Sequence, residues 1–281
     1  MKAAFRTEVL CFVGVFAAAL YLVQCLVPLL SRDVVADKAA STPTVPDVSM
    51  VNAATNADQS LNWSGYVAQG GSFSSVSGSW VVPKVRTDEP IAADATWVGI
   101  GGVQNKNLIQ AGTQAIVDQS GAVAYESWIE RLPGDSVPVP LPITAGDSVS
   151  VSLQEARPGW WNISMRNNTT GKTYDTTVAY DSTKASAEWI QEMPAGNVFL
   201  PLDMFGAIRF TAASAVRDGA TVTPKDAGAR ALAMITLDGR SLAMPSVLAD
   251  SGDGFVIART FAPVRIAKNW YQYAIFSLYG Y

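Results

Sequence analysis

Residues 148–153 read Ser-Val-Ser-Val-Ser-Leu. An alternation this strict has a period of two, and an extended strand with one buried and one solvated face is the structure that satisfies it. The chain also supplies the turns that strands need. Asn168-Thr169-Thr170-Gly171-Lys172 separates the strand-like 162–166 and 174–180, which predicts a hairpin. Asp238-Gly239 separates 231–237 from 241–244 and predicts a second hairpin with a two-residue turn. Gly146-Asp147 and Asp253-Gly254 punctuate further apolar runs. Many short strands joined this way predict an all-β antiparallel sandwich or barrel, a class that runs past about 200 residues as one domain. One segment conflicts with this pattern, because Ala185–Met193 satisfies helix propensity.

Composition narrows the chemistry. The 281 residues include no histidine, which removes Ser-His-Asp and Cys-His nucleophile systems, HExxH zinc sites and Cys/His zinc fingers. Acid–base work falls to carboxylates, Lys or Tyr. Both cysteines, Cys11 and Cys25, lie in the N-terminal apolar stretch, so disulfides, clusters and thiol catalysis are excluded from the rest of the chain. Charged residues make up only 16%, and the formal charge of -4 argues against a nucleic-acid partner, which needs a basic face. The surface must therefore be covered by Ser, Thr, Asn, Gln and Gly.

Three regions follow one another. Lys2 and Arg6 precede an apolar run over 9–30, interrupted by Gln24 and Pro28, and long enough for a hydrophobic helix that crosses a bilayer. No small-x-small cleavage site follows, and both a signal anchor and a cleaved signal peptide fit residues 1–30. The basic N-terminal flank places the remainder outside the cytoplasm in either case, secreted or membrane-anchored through 9–30. Residues 31–58, with Pro43 and Pro46 among Ala, Ser, Thr and Asp, read as a linker or short propeptide. Residues 59–281 form one β-patterned domain without internal repeats.

Tryptophan marks the segments where chemistry could sit. In order these are Asn62-Trp63-Ser64-Gly65-Tyr66, Trp80-Val81-Val82-Pro83, Trp97-Val98-Gly99-Ile100-Gly101-Gly102 and Leu108-Ile109-Gln110-Ala111-Gly112. Then come Tyr125-Glu126-Ser127-Trp128-Ile129-Glu130, Ala187-Glu188-Trp189-Ile190-Gln191-Glu192 and Phe205-Gly206-Ala207-Ile208-Arg209-Phe210. Taken singly, each is explained as well by packing: a Trp on a strand is core, a lone Gln or Glu is solvated surface. On a strand, Glu126, Trp128 and Glu130 share one face, which sets two carboxylates and an aromatic ring side by side.

In that order and at those separations the segments resemble the glutamic peptidases, or eqolisins, well over residues 62–216 and as a general strand pattern beyond. The resemblance implies a concanavalin-like jelly-roll sandwich of two antiparallel sheets and an acid-active endopeptidase. It implies polypeptide substrates, no metal and no cofactor, and a monomer is expected. It puts the catalytic glutamine on Gln110 and the catalytic glutamate on Glu192. Trp97, Trp128 and Glu130 fall on substrate-cleft positions, as do Asn62 and Trp63. A Glu base activating water beside a Gln amide that does not titrate suits acidic conditions, where a histidine base would be protonated.

The chain departs from the family at Gly101, where Asp is frequent, and at Arg131-Leu132, where an aromatic pair is frequent. Glu130 has two readings, a cleft hydrogen bond or an ion pair with an arginine. Two other functions remain open: a carbohydrate binder using Trp63, Trp97 and Trp128 as platforms, and a retaining glycosidase, which needs Glu130 and Glu192 about 5 Å apart. Beyond residue 50 the chain keeps 16 basic and 20 acidic residues. Self-repulsion, with carboxylates depressed by pairing, is expected to unfold the domain in strong acid.

Overall fold

The computed structural model describes residues 52–86, 91–103, 105–195 and 200–260. The expected helix over 9–30, both cysteines, most of the 31–58 linker and the tail after 260 lie outside them. Among the described residues the chain forms sixteen strands and no helix. They are β1 Asp58–Ser60, β2 Trp63–Gln69, β3 Phe73–Val81, β4 Ala92–Gly101, β5 Leu108–Val117 and β6 Val123–Arg131. Next come β7 Val137–Pro138, β8 Ser148–Arg157, β9 Trp160–Asn167, β10 Thr173–Ala179 and β11 Ser186–Glu192. The last are β12 Ala207–Arg217, β13 Ala220–Val222, β14 Arg230–Ile235, β15 Ser241–Pro245 and β16 Phe255–Arg259.

Two sheets share β12. The first runs β12-β16-β15-β14-β2-β11-β4-β5-β6-β7, and the second β10-β9-β8-β3-β12-β13. Neighbours along both orders are antiparallel, and β1 adds a parallel pairing to β14. Residues 207–210 of β12 pair with β16, whereas 211–217 pair with β3 across a register break between Thr211 and Ser214. Ala212 takes a φ of 50° there, so a bulge carries one strand from sheet to sheet.

The sheets meet over a core that includes Phe73, Trp80, Trp161, Trp189 and Phe210. Two indoles cross the gap: Trp80 Nε1 donates to Thr113 Oγ1 of β5 at 2.9 Å, and Trp189 Nε1 to the Ser77 carbonyl of β3 at 2.8 Å. Trp189 explains why the 185–193 stretch holds strand β11, Ser186–Glu192, and no helix. Helix propensity differs by only tenths of a kcal/mol per residue, whereas burying one large side chain is worth about 2–3 kcal/mol. The period-two pattern buries Ala187 and Trp189 in this core and leaves Glu188, Ile190 and Glu192 to the opposite face.

Residues 148–153 behave as their alternation dictates, with Val149, Val151 and Leu153 in the core. Their serines join a hydroxyl-covered outer face on the second sheet, where Ser79 pairs with Ser150 at 2.8 Å and Ser77 with Ser214 at 2.9 Å. The hairpin between β9 and β10 forms as expected. The one at Asp238-Gly239 differs. Thr236 N donates to the Arg240 carbonyl at 2.8 Å, so three residues, not two, close the loop, with Gly239 at φ 80°. A register break between Met234 and Ile235 shifts the pairing and demands the longer turn.

Candidate active site

The outer face of the first sheet carries a second apolar cluster: Val67, Ala95, Trp97, Leu108, Trp128 and Ile190, with Trp63 packed against it. Register sorts this face into three rows across β2, β11, β4, β5 and β6. The middle row is Gly65, Ile190, Trp97, Gly112, Trp128. On one side lie Val67, Glu188, Gly99, Gln110, Glu130, and on the other Trp63, Glu192, Ala95, Gln114, Glu126. Gln110 and Glu192 thus flank the Trp97 row from opposite sides.

Glycine makes room for Trp97. A Cβ on Gly112 would sit 2.6 Å from Trp97 Cβ and 2.2 Å from the Thr96 carbonyl oxygen. A Cβ on Gly99 would sit 2.9 Å from Trp97 Cζ3. The two glycines of the Trp-Val-Gly and Gln-Ala-Gly segments therefore bracket the indole. The departure at Gly101 has a backbone cause: its φ is 92°, and a Cβ would come 2.3 Å from the Asn107 carbonyl.

Hydrogen bonds organise the polar groups. Glu192 ends β11 and accepts from Trp97 Nε1 at 2.7 Å and Asn62 Nδ2 at 3.1 Å. Trp63 packs edge-on against Trp97, with ring centroids 5.0 Å apart. Gln110 Nε2 donates to Glu130, its cross-strand neighbour, so the structure pairs Glu130 with the glutamine and not with an arginine. Gln114 Nε2 donates to Glu126 at 3.0 Å, a second Gln–Glu pair on the same face that sequence reading had not joined. Among the buried atoms without a hydrogen-bond partner are two on this face, Gln110 Oε1 and Trp128 Nε1, beside Trp63 Nε1 and the Glu188 oxygens. Buried polar atoms are rarely left so, because each costs about 1–3 kcal/mol, and the first two suit a peptide's N–H and C=O.

Electrostatics differ from the expectation of depressed carboxylates. Burial pushes the Glu192 carboxyl up to about 7; the Trp97 bond opposes this, and the Glu130 charge adds to it. Burial also raises Glu130, against the pull of the Gln110 bond. Glu188 is fully buried, and its pKa is raised well above its ordinary value by desolvation. Asp118 and Asp238, which are lowered, lie on the surface. Paired surface groups thus do the opposite of the buried ones.

Sequence reading also missed Asp94, Asp203 and Gln191, which lie behind this face. In the sequence Gln191 stands out only as the neighbour of Glu192. The strand period, which sends Gln191 inward when Glu192 points outward, was the available signal.

The Peptidase A4 family model matches residues 61–258. Aspergillopepsin-2 from Aspergillus niger is 28% identical over 242 residues, covering 75% of this chain and 84% of that protein. Scytalido-glutamic peptidase, solved with a peptide-based transition-state analogue, superposes with a TM-score of 0.62 at 26% identity, covering 71% of this chain and 98% of that one. Aspergilloglutamic peptidase from Aspergillus niger gives 0.54 at 29% identity, over 60% and 99%. The family match selects a peptidase over the carbohydrate-binding and glycosidase readings. With its half-buried glutamate, its indole-lined face and this match over most of the folded domain, the chain belongs to the Peptidase A4 family and is a glutamic endopeptidase.

Proposed function

We propose that the chain hydrolyses polypeptides in acid with Glu192 as general base and Gln110 as oxyanion donor, outside the cytoplasm. The observation that carries this is the placement of Gln110 and Glu192 on either side of the Trp97 row, each tethered by a named hydrogen bond. An extended substrate crosses the face over Trp97. Ionised Glu192 takes a proton from water as the water oxygen bonds to the scissile carbonyl carbon. The carbonyl electron pair moves to oxygen, and the Gln110 amide, uncharged at every pH, donates to it. Glu192 then returns the proton to the amide nitrogen, the C–N bond breaks, and an acid and an amine leave.

Glu130 fixes the Gln110 amide, while Asn62 and Trp97 hold the two oxygens of Glu192. At about 7, Glu192 is largely protonated in acid, and its small ionised fraction is a correspondingly strong base. Casein cleavage from pH 3 to 7 tests the mechanism, with wild type beside Glu192→Gln. The variant should fold and show no turnover. Near-wild-type proteolysis from it overturns the dyad.

A further inference from the structure

Directly behind Glu192, on the inward side of the sheet, lie two more carboxyls that the reaction does not use. Asp94 of β4 and Asp203 of the segment after β11 are 1% and 2% exposed. Ala93 and Leu202 form a parallel bridge, with Asp203 N donating to the Ala93 carbonyl at 3.4 Å, so the next residues, Asp94 and Asp203, project together and their carboxyls interact directly. Asp94 already has two donors, Gln191 Nε2 at 2.6 Å and the Ala115 N–H at 3.2 Å. Thr96 Oγ1 donates to Gln191 Oε1 at 2.6 Å, which forces the amide nitrogen toward Asp94. Neither Asp203 oxygen accepts a well-formed hydrogen bond, and the Phe205 N–H approaches it only loosely. Asp94 is therefore the acceptor of the pair and Asp203 its acid.

The surrounding charges do not replace that proton. Arg259 at the end of β16 turns its guanidinium to four carbonyls: Asp203 at 3.0 Å, Leu242 at 2.9 Å, Thr260 at 2.7 Å and Leu202 at 3.3 Å. It attracts Asp203 only at a distance, while burial raises both carboxyls. Tyr125 of β6 faces the pair with a neutral hydroxyl that accepts from Val85 N at 3.2 Å. Arg86 N donates to the Met204 carbonyl at 3.3 Å, which ties the 82–86 stretch to this segment. The chain around Asp203 is bound along β4, with Ala93 N donating to the Pro201 carbonyl at 2.9 Å.

We propose that Asp94 and Asp203 share one proton, and that the shared proton positions the Glu192 end of β11 by holding the 200–206 segment against Asp94 and Gln191. Gln191 precedes Glu192 on β11, so the link runs Asp203 to Asp94 to Gln191 to the backbone that aims Glu192. Loss of the proton sets two buried anions side by side, and Asp203 is the one without a well-formed hydrogen bond to hold it. Asp203 is a positioning residue; the inference rests on the assignment of Glu192, but the stability test below does not.

The sign follows from the two states. In the unfolded chain both aspartates ionise near 4, whereas folding holds one proton far above that. This contribution is complete below pH 4 and is lost as pH rises toward the folded value. Asp203→Asn keeps a donor to Asp94 without needing a proton. Unfolding constants of the full chain, measured from pH 3.5 to 6.5 for wild type and Asp203→Asn, provide the test. Relative to wild type, the variant's unfolding constant should fall by about tenfold per pH unit. The alkaline limb of its activity profile should move to higher pH in step. Parallel stability curves would overturn the proposal. Should Asp203→Asn not fold, carbon-13 titration of the wild-type aspartate carboxyls is read instead: one buried aspartate should keep its proton while its buried neighbour is already ionised, and two buried aspartates that both titrate near 4 refute the shared proton.

Discussion

The acid limb of the pH–rate profile carries the clearest signature at the scale of single residues. Trp97 stabilises ionised Glu192 by donating to it, and the Glu130 charge opposes that ionisation. Trp97→Phe should therefore raise the pKa of Glu192 and move the acid limb of kcat/KM to higher pH. Glu130→Gln should move it to lower pH. Opposite shifts are hard to obtain from general damage to the fold, and shifts in one direction would refute the assignment of Glu192 to that limb. Gln110→Ala should lower kcat by about a hundredfold or more, the usual scale for an oxyanion donor, with KM much less affected. Single-turnover kinetics on a chromogenic peptide separates the two.

Among elements, β4 and β5 matter most, because the face they present depends on residues that have no side chain. Gly112→Ala should destabilise the domain by several kcal/mol, since its Cβ meets both the Thr96 carbonyl oxygen and Trp97 Cβ at well under contact distance. Urea unfolding measures this, and a loss below about 1 kcal/mol would show that the strands can part cheaply. This is also the scale at which the sequence was most and least legible. The serine–valine alternation of β8 and the turn after β9 were readable because both are local. Segment 185–193 was ambiguous because what decides it, Trp189 reaching the Ser77 carbonyl, comes from a strand 112 residues away. Gln110 and Glu192 could be named only through resemblance, since a Gln or Glu on a strand carries no local mark. Asp94 and Gln191 are 97 residues apart, and nothing in Ala-Ala-Asp-Ala-Thr announces a partner.

For the molecule as a whole, the buried and half-buried carboxyls reverse the expected response to pH. Asp94, Glu130, Glu188, Glu192 and Asp203 are all raised by burial. Each folded value lies above its unfolded one, so stability is fullest below about pH 4 and falls as pH rises toward the folded values. Repulsion among the 16 basic residues beyond residue 50 acts in strong acid. Calorimetry should therefore find a stability maximum in the acidic range, with a steeper loss toward neutrality than toward pH 2. The reverse asymmetry would mean the pairing of charges outweighs burial. The site as assigned uses neither metal nor thiol, so proteolysis should survive chelators and alkylating reagents; strong inhibition by a chelator would point to a metal. The serine-covered back of the second sheet responds differently from all of this. Its central rows, Ser75, Ser77, Ser79, Ser150, Ser152 and Ser214, neither take up nor give off protons. A solid that grips the enzyme by those central rows alone would hold it through groups that read alike in vinegar and in plain water, with the indole-lined face turned outward to passing chains.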